Sequence, residues 1–155
     1  MPDTAARPNR PRGILYGVGY EGRSAEQLVN LLARAGVDTV VDVRLNPVSR
    51  KPGLSKTKLA ALLSANGIAY VHEPMLGNPQ DNRAGFSDGR LHQARERFAE
   101  RLSNGSRQAL LELVERARTG SVAMLCVEAE RRRCHRQVIA EAVEEAAPGV
   151  VHVDL

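Results

Sequence analysis

The sequence predicts an α/β fold, a Rossmann-like three-layer α/β/α sandwich built on a mostly parallel sheet of about five strands. Three observations predict it. Short β-rich runs alternate with longer helical patterns, which is the signature of strands joined through crossover helices. The helical patterns carry start and stop signals at their ends. The 155-residue chain is also long enough to bury a core without disulfide or metal staples.

Residues 1–12 hold Pro2, Pro8 and Pro11 with Arg7, Arg10 and Arg12 and almost nothing apolar, so a flexible basic N-terminal arm is expected there. Residues 13–155 are expected to form one domain, with no internal repeat and no linker that would split it. Strands are read over Gly13 to Gly19, Asp38 to Val43, Ile68 to His72, Ser121 to Val127 and Val150 to Val153. The first helix, Ser24 to Ala35, places Leu28, Val29, Leu31, Leu32 and Ala35 on one stripe. It opens on a Ser24/Gln27 capping box and stops at Gly36. Ser55 to Asn66 repeats the scheme with Leu59, Leu62 and Leu63 before Gly67. Two further helices, one on Leu91, Ala94, Phe98 and Leu102 and one on Leu110, Leu113, Val114 and Ala117, are separated by Asn104-Gly105. The last helix begins near Cys134, runs along Val138, Ile139, Ala142, Val143 and Ala146, and is stopped by Pro148-Gly149.

Twenty-two Lys and Arg against 18 Asp and Glu give a net charge of +4, which favours anionic partners. Aromatic residues are scarce and Trp is absent, so the stacking platforms of single-strand binders are mostly missing, and a phosphate-bearing small molecule is as good a candidate as nucleic acid. Two cysteines are too few for a secreted disulfide scaffold, and no apolar leader precedes the first strand, so a cytoplasmic chain is expected. No apolar run approaches bilayer-spanning length, and no membrane partner is expected.

Two connections exceed what packing requires, Arg44 to Leu54 and Glu73 to Ser87, and both leave the carboxyl end of a strand, where open α/β sheets bind ligands. The richest chemistry is Cys126-Val127-Glu128 followed by Cys134-His135-Arg136, which joins a strand end to a helix start. A helix N-terminus together with Arg133 and Arg136 favours a thiolate at Cys134. His135 is then a proton donor or acceptor and Arg136 an anion holder. Against this, positions 134, 138 and 142 share a helical face, so Cys134 could simply pack; for Cys126, inside an apolar strand, burial is the favoured reading. For His135 and Arg136 the plainer reading is capping and surface charge.

Cys126, Glu128, Cys134, His135 and His72 are all metal-ligand types, yet the short paired spacing of structural zinc modules is missing, and no metal or other cofactor is expected. Cys126 and Arg132 flank five residues, the spacing of a phosphate-cradling loop, but Glu128 and Glu130 inside it would repel a phosphate. A second group, Asp42, Arg44, Pro47, Ser49, Arg50 and Lys51, supplies a carboxylate for orienting or acid–base work and a cationic rim. The alternative there is a solvated loop in which Asp42 pairs with Arg44. The turn Gly17-Val18-Gly19-Tyr20-Glu21-Gly22 could offer amides to an anion, although a tight strand-to-helix turn explains its glycines equally and is preferred.

Taken in order, Gly19-Tyr20-Glu21-Gly22, Asp42-Val43-Arg44 with Asn46-Pro47, Ser49-Arg50-Lys51-Pro52-Gly53, Leu76-Gly77 and Cys126-x-Glu128 before Cys134-His135-Arg136 resemble the domain-of-unknown-function 488 family over nearly all of residues 13–154. The resemblance implies a small Rossmann-like domain with its motif residues gathered at one edge and no established activity. Leu54 departs from the family pattern, which tends to place an aromatic residue there, and Glu130 to Arg133 is unusually basic.

The expected function is an enzyme, a thiol-dependent hydrolase or transferase, acting on a nucleotide or nucleic-acid related anion. Cys134, His135, Asp42, Glu128 and Cys126 are its catalytic candidates. Gly19, Tyr20, Arg44, Ser49, Arg50, Lys51, His72, Gly77 and Arg136 are its binding candidates. The alternatives are a non-catalytic nucleic-acid or nucleotide binding module and a plain structural adaptor; homodimer formation is left open.

Overall fold

The computed structural model describes residues 12–86, 89–128 and 134–155. The basic arm, apart from Arg12, and the positions Glu130, Arg132 and Arg133 therefore lie outside the described residues.

The strands are β1 (Ile14–Gly19), β2 (Thr39–Asp42), β3 (Ala69–His72), β4 (Ser121–Cys126) and β5 (Val151–Asp154). They form one sheet in the order β3-β2-β4-β1-β5, every neighbouring pair parallel. The expected sheet was mostly parallel; the observed one is entirely so. The helices are α1 (Ala25–Arg34), α2 (Lys56–Ala65), the short α3 (Gln80–Arg83), α4 (Leu91–Ser103), α5 (Arg107–Thr119) and α6 (Arg136–Ala146).

A parallel sheet must be covered on both faces, and the strand alternation sorts the core accordingly. On one face Val18 of β1, Val40 of β2 and Ala123 and Leu125 of β4 pack with Leu28 and Leu32 of α1 and Leu59 and Leu63 of α2. On the other, Leu15, Val41, Val122 and Met124 pack with Phe98 of α4, Leu113 of α5 and Ile139 of α6. All six residues of β4 are buried, as the central strand requires. Burial of each such Leu or Ile side chain stabilises the fold by about 1.5–3 kcal/mol.

The local signals explain the element ends. Ser24 accepts from the Gln27 amide while the Gln27 side chain accepts from the Ser24 amide, completing the expected capping box. Ser55 does not cap α2 in the same way. Its hydroxyl donates to the Ser49 carbonyl and accepts from the Ser49 amide, so it ties down the preceding loop instead. The last helix begins two residues beyond Cys134, with His135 in the N-cap position.

The connection after β3 is not an open loop. It folds into a 3-10 turn at Pro74–Leu76, then α3, then a second 3-10 turn at Ala84–Phe86. Gly77 lets this segment press onto the loop after β2, since a Cβ there would come within 2.7 Å of the Leu45 Cα. Among the described residues no helix is long and apolar enough to cross a membrane.

Candidate functional site

β2 and β4 are neighbours, with Asp42 opposite Leu125, so the chain leaving each of them does so side by side. Parallel pairing continues past the formal strand ends. Val43 donates to the Leu125 carbonyl, and on the other side Tyr20 and Glu21 donate to the carbonyls of Cys126 and Val127. The Tyr20 and Glu21 amides of the turn after β1 are therefore engaged in holding the end of β4.

A cavity of about 330 Å³ opens beyond these strand ends. Its walls come from Arg44 after β2, from Asn78, Arg83, Ala84 and Phe86 in the folded segment after β3, from Cys126, Val127 and Glu128, and from Cys134 and His135 before α6. Five of the sequence candidates meet here: Arg44, Cys126, Glu128, Cys134 and His135.

Both cysteines are free and buried. The Cys134 Sγ lies 3.6 Å from the His135 Nδ1, and the His135 Nε2 lies 3.0 Å from the Val43 carbonyl oxygen. A carbonyl only accepts, so Nε2 must carry a proton, and Nδ1 is left to take the proton of the thiol. The Phe98 ring packs edge-on against the imidazole, centroids 5.1 Å apart, and fixes its plane. Burial opposes ionisation of Cys134. A hydrogen bond from Cys126 and the proximity of His135 and Arg136 outweigh it and hold this thiol well below its ordinary range.

Cys126 is pushed the opposite way, well above the ordinary thiol range, first by its hydrogen bond to Cys134 and then by burial. Its proton also has a second acceptor, the Glu128 Oε2 at 3.4 Å. Burial, followed by repulsion from Cys134, raises the Glu128 carboxyl above its ordinary value. The Cys126 and Cys134 sulfurs and a His135 ring nitrogen all lie within 4.8 Å of one another, close enough for these three residues to hold a soft divalent ion.

Arg44 is fixed from several sides. It donates to both oxygens of Asp42, at 2.9 and 2.7 Å, and to the Leu54 carbonyl at 2.7 Å, and its guanidinium sits 5.4 Å from the Tyr20 ring centroid. Burial works against its charge, but the Asp42 carboxylate more than compensates and raises its pKa. Asp42 also accepts the Tyr70 hydroxyl, which keeps its proton to higher pH through burial and then this bond.

Several candidates stand elsewhere than expected. Asp42 does not line the cavity. It shares the strand face of α1 and α2 while Cys126 shares the face of α4, α5 and α6, and both of its oxygens are engaged, with Arg44 and Tyr70. The pairing of Asp42 with Arg44 is present, but buried rather than solvated. Arg136 is 1 % exposed and donates to the Glu128 backbone carbonyl, which braces the end of β4, and it is not among the residues that line the cavity.

Gly19 accepts from Arg23, and Tyr20 lies beneath Arg44 and Lys51. Lys51 reaches the Tyr20 and Arg23 carbonyls, Ser49 accepts the Lys51 amide, and Arg50 is exposed. The His72 Nε2 meets the Arg44 carbonyl, and Gly77 makes the close approach described above. None of these lines the cavity.

Sequence reasoning missed Asn78, Arg83 and Phe86. A signal existed: Leu76 and Phe86 are large apolar residues in a stretch rich in Gly, Pro, Asn and Asp, and both are buried, which marks a segment anchored on the core. Asn82 donates to the Asn78 Oδ1 and the Ala94 carbonyl, which leaves the Asn78 amide as the donor end of that side chain.

The fold and site together define a parallel α/β domain with a paired-thiol, imidazole and guanidinium cavity at its strand ends. The model of the family described as domain of unknown function DUF488 matches residues 24–143, and the chain belongs to that family. No curated protein and no solved structure matches the chain.

Proposed function

We propose that the chain is an enzyme acting on a small anionic substrate, a nucleotide or nucleic-acid component, with Cys134 as nucleophile. The observation that carries this reading is the Cys134–His135 pair, whose tautomer is set by the Val43 carbonyl, standing on the wall of a cavity that Arg44 and Arg83 also line. His135 Nδ1 takes the thiol proton, and the thiolate attacks the electrophilic centre of the bound anion. Arg44, held rigid by Asp42, and Arg83 bind the negative charge. Glu128, whose carboxyl burial raises above its ordinary value, stands on the same wall to serve the leaving group. At about 330 Å³ the cavity is at the small end of ligand pockets, which favours a small molecule or one extruded nucleotide over a duplex.

The test is alkylation by iodoacetamide, followed by mass spectrometry across pH. Cys134 is expected to label first, with a midpoint below the ordinary thiol value of about 8.5, and His135→Ala to raise that midpoint. Nucleoside monophosphate or inorganic phosphate is expected to slow the labelling. A Cys134 that labels no faster than an ordinary thiol refutes the nucleophile.

A second reading, a nucleic-acid binding module, draws on the exposed Arg50, Lys51, Lys56 and Lys58 around the start of α2. It requires oligonucleotide affinity that falls steeply with salt and survives loss of both cysteines.

A further inference from the structure

We propose that Cys126 is the resolving partner of Cys134, so that the cavity carries a two-electron peroxide-reducing activity ending in a Cys126–Cys134 disulfide. The proposal rests on the reading of Cys134 as a reactive thiol, and adds a role for the second cysteine that a simple nucleophile does not need. Two free cysteines on the same cavity wall have sulfurs within 4.8 Å, so closing the bond to about 2.05 Å requires no more than about 2.8 Å of combined travel. The residues beside them match the two roles: His135 serves Cys134 at 3.6 Å, and Glu128 serves Cys126 at 3.4 Å.

The oxidant is hydrogen peroxide, small enough for the cavity. The Cys134 thiolate attacks one peroxide oxygen, the O–O bond breaks, and the departing hydroxide takes a proton from the His135 imidazolium and leaves as water. Cys134 is then a sulfenic acid. Cys126 gives its proton to the Glu128 carboxylate and attacks the Cys134 sulfur. The S–O bond breaks, and the hydroxide recovers that proton as a second water. Each sulfur has lost one electron and the peroxide has gained two. An external dithiol returns the pair to the reduced state by exchange.

The experiment treats the full, reduced chain with one equivalent of hydrogen peroxide, counts free thiols and maps peptides by mass spectrometry. The expected result is a fall from two thiols per chain to none, a peptide joining Cys126 to Cys134, and full recovery with dithiothreitol. Cys126→Ser is expected to stop at a dimedone-trappable sulfenic acid on Cys134 and then pass to the sulfinic acid. If wild-type Cys134 alkylates fast yet yields dimedone adduct or sulfinic acid without the crosslink, the pairing is overturned while the nucleophile stands. If Cys134 neither alkylates fast nor oxidises, both readings fall. Stoichiometric zinc on the purified chain that blocks oxidation until it is chelated overturns the pairing in favour of a metal held by Cys126, Cys134 and His135.

Discussion

Asp42→Ala tests how the cavity's main cation is held. Asp42 is fully buried and Arg44 is 2 % exposed, and the carboxylate accepts two bonds from the guanidinium and one from Tyr70. Removing one partner of a buried pair leaves an uncompensated charge and costs about 3–5 kcal/mol. The Tyr70 hydroxyl loses its acceptor as well, a further cost of about 1 kcal/mol. The sum, about 4–6 kcal/mol, is a large part of the 5–15 kcal/mol typical of a folded domain. With a urea slope of about 2 kcal/mol/M for a domain of this size, the midpoint should fall by about 2–3 M.

The assay is equilibrium urea unfolding followed by circular dichroism, with Asp42→Ala/Arg44→Met alongside. Removing both charges and filling the space should recover most of the loss. A fall of less than about 0.5 M for Asp42→Ala alone would refute the reasoning, because about 1 kcal/mol is what a solvent-screened pair contributes.

Other outcomes follow from single contacts. Gly77→Ala should lower stability by about 1–3 kcal/mol in the same assay, because the new methyl meets Leu45 backbone atoms that cannot swing aside. Phe98→Ala should cost about 3–5 kcal/mol as a core truncation. Phe98→Leu should cost far less yet still slow alkylation of Cys134, since the imidazole loses its edge contact. Cys134 has a depressed folded pKa, so its contribution to stability is present above the unfolded thiol value of about 8.5 and is lost as pH falls through the folded value. The unfolding free energy of wild type minus that of Cys134→Ser should therefore rise with pH across that window, and a flat difference would contradict the assignment.

The layers and the order of the main elements were legible because each long helix carries its own stripe and stop: Leu28 and Leu32 before Gly36, Leu59 and Leu63 before Gly67. The segment after β3 was not. A three-residue turn and a four-residue helix are too short to express a period, and Gly, Pro and Asn there read as plain loop. The site was half legible for a related reason. Strand-end position identified Arg44, Cys126 and Glu128, and the helix start identified Cys134 and His135, because local sequence marks where an element stops or begins. Whether a charged side chain then faces a ligand or the protein depends on partners from other segments: the Glu128 carbonyl for Arg136, and Tyr70 for Asp42, whose pairing with Arg44 was open to the sequence. Those partners come only with the tertiary fold.

The strand order carries a consequence for how the molecule is assembled. The first two strands never touch; the fourth lies between them, so the middle of the sheet waits for residues made long after residue 42. A chain halted short of residue 121 would hold one strand pair, β2 with β3, and a β1 with neither of its strand neighbours. Such long-range pairing is slow to form. The insertion of β4 also delivers Cys126 and Glu128 to the cavity, so closing the middle of the sheet and forming that wall of the site are the same event.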